Sequence, residues 1–247
     1  MRRRFFVDQV RNGQAILNGE DARHLTRVLR VEPGQRYEIS DNRDVYLAEI
    51  EAAHKERVVF RTVEKLEAPA TGVRLILCAA LVKFDRFEWM IEKATELGVA
   101  EIVPFEAARS ERGLKRAARK RVERWRRIAL EASQQSRRAR LPEVRDPVTF
   151  EDVVGEPADY RYMLDEEPGG APLAAAPAER RAGDSVALLI GPEGGWTEPE
   201  RTAMVAAGWT RVSLGPLILR SETAALAGLA VLAAAWSALA KSGDKSG

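Results

Sequence analysis

Two apolar runs each break into a Gly-Pro loop, and this pairing limits the fold more than any other feature of the chain. Ser185-Val186-Ala187-Leu188-Leu189-Ile190 leads straight into Gly191-Pro192-Glu193-Gly194-Gly195, and Thr210 to Leu214 leads into Gly215-Pro216. An unbroken short apolar run suits a strand buried on both faces, as in a parallel sheet. Ligands of open α/β sheets bind beyond the C-terminal ends of such strands. Glycine there allows close backbone approach and positive φ. The first segment is neither GxxxxGK[ST] nor GxGxxG, which disfavours a P-loop or dinucleotide site. Composition alone leaves a plain strand-to-helix turn open for it. The second loop, Leu214 to Thr223, is apolar for a loop. Leu217, Ile218 and Leu219 suit one wall of an apolar pocket, with Arg220 and Glu222 at the mouth of the next helix. The alternative is that Ser221 or Thr223 simply caps that helix.

The rest of the chain divides in two. Residues 1 to about 68 read as short strands: Gln14–Leu17, Gln35–Ile39, Val45–Ile50 and Arg57–Val63, with a short helix over Asp21–Leu29. Leu66 to Gly72 reads as a linker. From Val73 strands and helices alternate, implying a parallel sheet with helices on both faces. The expected order is a strand at Val73–Leu81, a helix capped by Asp85 with Glu88 and stopped by Gly98, and a strand at Glu101–Phe105. A long basic helix over Leu114–Arg138 follows, then strands at Tyr160–Leu164 and Ser185–Ile190. A helix capped by Thr197 with Glu200, a strand at Thr210–Leu214 and an Ala-rich helix from Ala224 to Ala240 close the chain. That last stretch is near the length of a membrane span. Alanine is only weakly apolar, so it reads instead as a helix apolar on all sides, buried in a core or subunit interface, with Gly228 admitting close neighbours. Ala171–Arg181 and the tail after Lys241 read as mobile.

Charge narrows the partners. The net charge is only +2, but thirteen Lys/Arg between Arg109 and Arg140 face Glu111, Glu123 and Glu131, a local net of +10. Such a patch suits a polyanion through counterion release, although a solvated helix face is the plain alternative. Cys78 is the only cysteine, and His24 and His54 are the only histidines. Disulfides within the chain and Cys-based metal sites are excluded, and no metal is expected. The basic start lacks the apolar core of a signal peptide, so a cytoplasmic protein is expected.

Ile190-Gly191-Pro192-Glu193-Gly194-Gly195-Trp196 and Leu214 to Ala224 resemble the cofactor motifs of the SPOUT methyltransferases, and more narrowly those of the ribosomal RNA small subunit methyltransferase E family. Arg4-Phe5-Phe6, Arg23-His24-Leu25, Arg27-Val28-Leu29-Arg30, Lys83, Lys93 to Val99, Pro104, Arg109-Ser110, Glu131-Ala132, Gln135-Ser136 and Arg138 fit the same resemblance. It implies a PUA-like β-barrel over residues 1–70 and a SPOUT domain with a C-terminal trefoil knot over residues 73–243. It also implies a homodimer that uses S-adenosylmethionine to methylate N3 of one uridine in the 16S rRNA of the assembled 30S subunit. The chain departs from the family at Arg137, where relatives usually have Gly before the matching Arg138.

On this reading, Leu164, Ile190, Gly191, Pro192, Glu193, Gly194, Gly195, Leu214, Gly215, Leu217, Ile218 and Leu219 surround the cofactor. Arg220 stabilises the developing uridine anion and Glu222 accepts its proton. Arg4, Arg23, Arg27, Arg30, Lys83, Arg109, Arg112, Arg116, Arg124 and Arg138 are expected to contact RNA phosphates, which set position rather than sequence. Two other readings stay open: a ribose 2′-O-methyltransferase of the same superfamily, and a ribosome-assembly factor that binds rRNA without catalysis.

Overall fold

In β7 (Val73–Ala80), Leu75, Leu77 and Ala79 enter one apolar cluster and Ile76, Cys78 and Ala80 another. In β12 (Asp184–Ile190), Val186, Leu188 and Ile190 alternate with Ala187 and Leu189 in the same way. From Leu75 in β7 and Val186 in β12 onward the strands are wetted on neither face and have no position for a polar residue, which is why the apolar runs are unbroken there. The computed structural model describes residues 4–68, 72–111, 113–175 and 179–240. The chain forms two compact units, Met1–Pro69 with Ser133–Leu141, and Ala70–Ala132 with Pro142–Gly247.

The first unit contains β1 (Arg4–Phe6), β2 (Val10–Arg11), β3 (Gln14–Asn18), α1 (Gly19–Arg27), β4 (Arg36–Ser40), β5 (Val45–His54) and β6 (Arg57–Leu66). Its six strands form one mixed sheet in the order β1-β4-β5-β6-β3-β2, with β1 parallel to β4 and the other pairs antiparallel. Phe5, Leu17, Leu25, Ile39, Ile50 and Phe60 fill its core.

The second unit contains β7, α2 (Phe84–Glu96), β8 (Glu101–Phe105), α3 (Leu114–Arg119), α4 (Val122–Gln135), β9 (Glu143–Val144), α5 (Phe150–Val154), β10 (Tyr160–Leu164), β11 (Ala171–Pro172), β12, α6 (Glu198–Ala206), β13 (Thr210–Ser213) and α7 (Ser221–Ala240), although the end of α4 belongs to the first unit. The seven strands are all parallel, in the order β11-β13-β10-β12-β7-β8-β9. Phe87 of α2, Trp125 of α4 and Leu229 and Trp236 of α7 cover one face, and Val153 of α5 and Met204 of α6 cover the other. The sheet is therefore an α/β layer with helices on both sides.

Several expectations change. The single basic helix over Leu114–Arg138 is two helices, because the Lys120 and Arg121 amides bond three residues back, to Ala117 and Ala118, and tighten the chain. Asp85 does not cap α2. The N-cap is Lys83, without a side-chain bond, and the Glu88 carboxylate is taken by Arg121 at 2.8 Å and Arg124 at 2.9 Å. Part of the segment expected to be mobile is packed: Leu173 is fully buried in a 3-10 turn after β11. Residues 176–178 and the tail after Lys241 lie outside the described residues.

Helix α7 is not buried all round. Ala225, Leu229, Leu232 and Trp236 pack into the core, while Thr223, Ala230 and Ala234 are exposed. Burying each of the two leucines stabilises the fold by roughly 2 kcal/mol. At Gly228 an added Cβ would stand 2.7 Å from Leu188, 3.3 Å from Leu164 and 3.6 Å from Leu173, so the helix is pressed against side chains of β12, β10 and the 3-10 turn. Among the described residues, no helix is long and apolar enough to cross a membrane.

Candidate active site

A cavity opens beyond the ends of β10, β12 and β13, where the two Gly-Pro loops meet. Leu164, Ile190, Leu214 and Leu219 supply apolar walls, Gly191, Pro192 and Gly215 supply backbone, and Asp165 and Glu166 supply carboxylates. The glycine loop is clamped from several sides. The Gly195 amide donates to Pro192 O at 2.9 Å, a turn that requires φ +71° at Gly195. The Trp196 indole donates to Leu164 O at 2.9 Å and lies against Gly191, where a Cβ would come within 2.8 Å of the ring. Ser221 at the start of α7 donates to Gly191 O at 3.1 Å, tying the second loop's helix to the first loop. A true N-cap role at the start of α6 does occur: Thr197 and Glu200 form a reciprocal capping box, and Glu200 also accepts the Ala108 amide at 2.8 Å.

Expected cofactor residues separate into two groups. Leu164, Ile190, Gly191, Pro192, Leu214, Gly215, Leu217, Ile218 and Leu219 line the cavity, and Glu193, Gly194 and Gly195 do not. Glu193 pairs with Arg86, and Gly194 O accepts from Arg109 at 2.9 Å. A Cβ at Gly195 would strike Glu166 Oε1 at 2.3 Å, so a side chain there would act through Glu166 rather than by entering the cavity. Leu217 and Ile218 are 78% and 85% exposed although they are large and apolar. Their backbone groups and those of Leu219 make no hydrogen bond to any described residue.

Arg220 is exposed and pairs with no described carboxylate, but it does not line the cavity, although its chain neighbours Leu219 and Ser221 do. Glu222 is buried and points elsewhere: it lines a neighbouring cavity with Asp85, Arg86, Trp89 and Thr223. Its Oε1 lies 4.0 Å from Arg86 Nε, and its Oε2 is buried without a hydrogen-bond partner.

The expected RNA contacts also divide. Arg27, Arg30, Lys83 and Arg116 are exposed and unpaired among the described residues, and Arg23 reaches Glu56 only at 3.5 Å. Arg4 is a correction. It is 5% exposed, bonds Glu38 at 2.7 Å and donates to Arg137 O at 2.7 Å, so its charge is consumed inside the first unit. Arg109 donates to Gly194 O and to Trp196 O, which makes it a brace of the glycine loop, and Arg124 is held by Glu88. Arg138 donates to Arg140 O at 3.1 Å, and burial pushes its pKa down to about 10, leaving it charged at neutral pH. Arg112 lies outside the described residues.

The sequence reading missed Asp165, Glu166, Arg201 and Arg211. Arg201 is buried and reaches Asp165 at 3.2 Å and Glu166 at 2.8 Å, while Arg211 reaches Asp165 at 2.7 Å. Burial works against the Arg201 cation, but the surrounding carboxylates outweigh it and hold its pKa above the ordinary value. The available signal was positional: Asp165-Glu166-Glu167 follows β10 as the Gly-Pro loops follow β12 and β13. Cys78 is fully buried, and burial pushes its thiol pKa well up, so it offers no thiolate nucleophile.

Comparison with known proteins agrees with this geometry. An RNA methyltransferase domain model matches residues 69–233, and an RNA methyltransferase PUA domain model matches residues 17–63. Ribosomal RNA small subunit methyltransferase E of Bacillus subtilis is 33% identical over 229 residues, covering 87% of this chain and 88% of that protein. The protein of the same name from Synechocystis is 34% identical over 230 residues, covering 90% and 74%. The Neisseria gonorrhoeae ribosomal RNA small subunit methyltransferase E bound to S-adenosylmethionine superposes with a TM-score of 0.81 at 27% identity, covering 96% of this chain and 98% of that one. A two-loop cavity at the ends of parallel strands, a domain model spanning most of the chain and relatives matched over most of their own length lead to one family: the chain belongs to the ribosomal RNA small subunit methyltransferase E family.

Proposed function

We propose that this protein transfers a methyl group from S-adenosylmethionine to N3 of a uridine in 16S rRNA, acting in the cytoplasm as a homodimer on the assembled 30S subunit. The observation that carries the reading is the cavity built jointly by the two Gly-Pro loops in a chain of this family. Its residues fit that cofactor: apolar walls suit a flat base, the free backbone groups of Leu217 to Leu219 suit its polar edge, and Asp165 and Glu166 suit its cationic portion. When bound, S-adenosylmethionine supplies an electrophilic methyl group on a sulfonium.

The chain's own residues then have separate duties. The two loops fix the position of the reacting partners. Arg220, exposed and unpaired, stabilises negative charge on the uracil as N3 loses its proton. Glu222 Oε2, buried and unpartnered, receives that proton, which requires the base to approach from the side of Arg86 and Trp89. Residues 1–70 serve as the PUA-like RNA-binding domain and residues 73–243 as the methyltransferase domain. The packing of α7 against β10, β12 and the 3-10 turn supports a helix threaded into a C-terminal trefoil knot. Its exposed alanines support a subunit contact along that helix.

The test is incubation of labelled cofactor with unmethylated 30S subunits and with naked 16S rRNA, followed by nucleoside mass spectrometry. Label in N3-methyluridine from 30S subunits is expected. Label on ribose would select the 2′-O reading, and cofactor binding without transfer to either substrate would leave the assembly-factor reading.

A further inference from the structure

Among the described residues, Asp165 and Glu166 are the only charged side chains lining the candidate cofactor cavity, with no lysine or arginine. Asp165 is fully enclosed and is taken by both Arg201 and Arg211. Glu166 is different: its side chain is 35% exposed, and both of its contacts fall on one oxygen. Oε1 accepts from Arg201 Nη2 at 2.8 Å and from the Trp196 amide at 3.2 Å. Oε2 makes no hydrogen bond or ion pair with any described residue. The carboxylate is thus fixed through one oxygen while the other stays available. Arg201 does not cancel the local charge, because it is shared with Asp165, Glu167 at 3.1 Å and Glu198 at 3.7 Å. Four carboxylates against the guanidinium groups of Arg201 and Arg211 leave a net of −2 beside the cavity.

We propose that Glu166, positioned by Arg201 and the Trp196 amide, is the group by which the cavity prefers a cationic cofactor to its neutral product. The proposal rests on the reading of this cavity as the S-adenosylmethionine site. S-adenosylmethionine carries a sulfonium charge that S-adenosylhomocysteine lacks, while the amino-acid charges of the two are the same and cancel in any comparison. A fixed carboxylate in a partly desolvated cavity stabilises the first over the second and eases release of the second after turnover.

Calorimetric titration of the full chain with S-adenosylmethionine, S-adenosylhomocysteine and sinefungin tests this. Sinefungin carries an ammonium near the sulfonium position, so it separates charge from the presence of a methyl group. Glu166→Gln keeps the size of the side chain and an oxygen for the Trp196 amide. It is expected to weaken S-adenosylmethionine and sinefungin about tenfold and to leave S-adenosylhomocysteine nearly unchanged. In the wild type, the preference for the two cations should shrink as salt rises from roughly 0.05 M to roughly 0.5 M, a measurement that needs no variant. Equal weakening of all three ligands, or no change in any, overturns the proposal, as does a preference indifferent to salt. Failure of the wild type to bind any of the three would overturn the cofactor reading itself, an outcome distinct from a changed ratio.

Discussion

At the residue scale, the first unit turns on Glu38. Arg4 and Arg137 both bond its carboxylate, and the side chain is almost wholly enclosed. Burial alone would raise the Glu38 pKa, but the two guanidinium groups outweigh it and hold it below the ordinary value of 4.5. A depressed folded pKa means stabilisation that is present above the unfolded value and lost as pH falls through the carboxylate range. Glu38→Gln should therefore be less stable than wild type at neutral pH, yet lose less stability between neutrality and roughly pH 3 in urea titrations. Parallel acid-induced losses would contradict this. Arg137 adds a second effect, because its φ is +56°, a left-handed conformation that costs a side chain energy. The family resemblance leads one to expect Gly at this position, and a left-handed backbone is one that glycine adopts without cost. Arg137→Gly and Arg137→Ala both lose the ion pair, but only glycine relieves the strain. Chemical denaturation should find the Gly variant more stable by about 1 kcal/mol. Arg220 gives the corresponding catalytic prediction: Arg220→Ala should lower single-turnover methylation about 100-fold while calorimetric cofactor affinity stays near wild type. Turnover at the wild-type rate would remove Arg220 from the chemistry. Among these residues the sequence showed Arg220 through its loop. It could not show Arg4 spent on Glu38, because pairing across 34 positions leaves no local pattern.

At the element scale, legibility followed periodicity and local hydrogen bonding. The strands β7 and β12 and the capping box of α6 were readable because their signals lie within a few residues. Helix α5 carries an equally local signal, the Thr149–Asp152 capping box, but has only five residues and too little apolar pattern to stand out. The break between α3 and α4 was invisible because basic residues on both sides keep helical propensity high. The absence of an Asp85–Glu88 cap on α2 was likewise hidden, since Arg121 just before α4 and Arg124 within it take the Glu88 carboxylate. Helix α7 shows how composition and packing combine. Its alanines gave the length of the element, whereas Gly228 marks where it meets β12 and β10 most closely. Gly228→Val would drive its side chain into Leu188 from a starting distance of 2.7 Å. Such overpacking should destabilise the second unit by about 1–3 kcal/mol in urea unfolding, offset only in part by the higher helix propensity of valine. Wild-type stability would show that α7 is seated more loosely than the contacts imply.

At the scale of the whole molecule, the fold class and the position of the candidate cavity were legible because both follow from strand ends, and the electrostatics were legible only as a sum. The basic stretch from Arg109 to Arg140 carries a net of +10 by composition. In the folded chain many of those charges already have partners: Arg121 and Arg124 on Glu88, Arg126 on Glu123 and Asp146, Arg127 on Glu131, and Arg137 on Glu38. A guanidinium committed to a carboxylate brings little new counterion release when RNA arrives, whereas an exposed, unpaired one releases about one ion per phosphate contact. The RNA-binding reading thus makes different demands on residues of the same type. Arg27→Ala, from an exposed position at the end of α1, should weaken RNA affinity and lower the slope of log K against log salt by about 1. Arg124→Ala, which loses a partner of Glu88, should leave that slope nearly unaltered and register instead as a small change in stability. Fluorescence-anisotropy titrations of a 16S rRNA fragment across a salt series distinguish the two. If both variants shift the slope equally, ion pairing in the free protein does not govern which arginines meet phosphate, and the net charge of the stretch is the better guide after all.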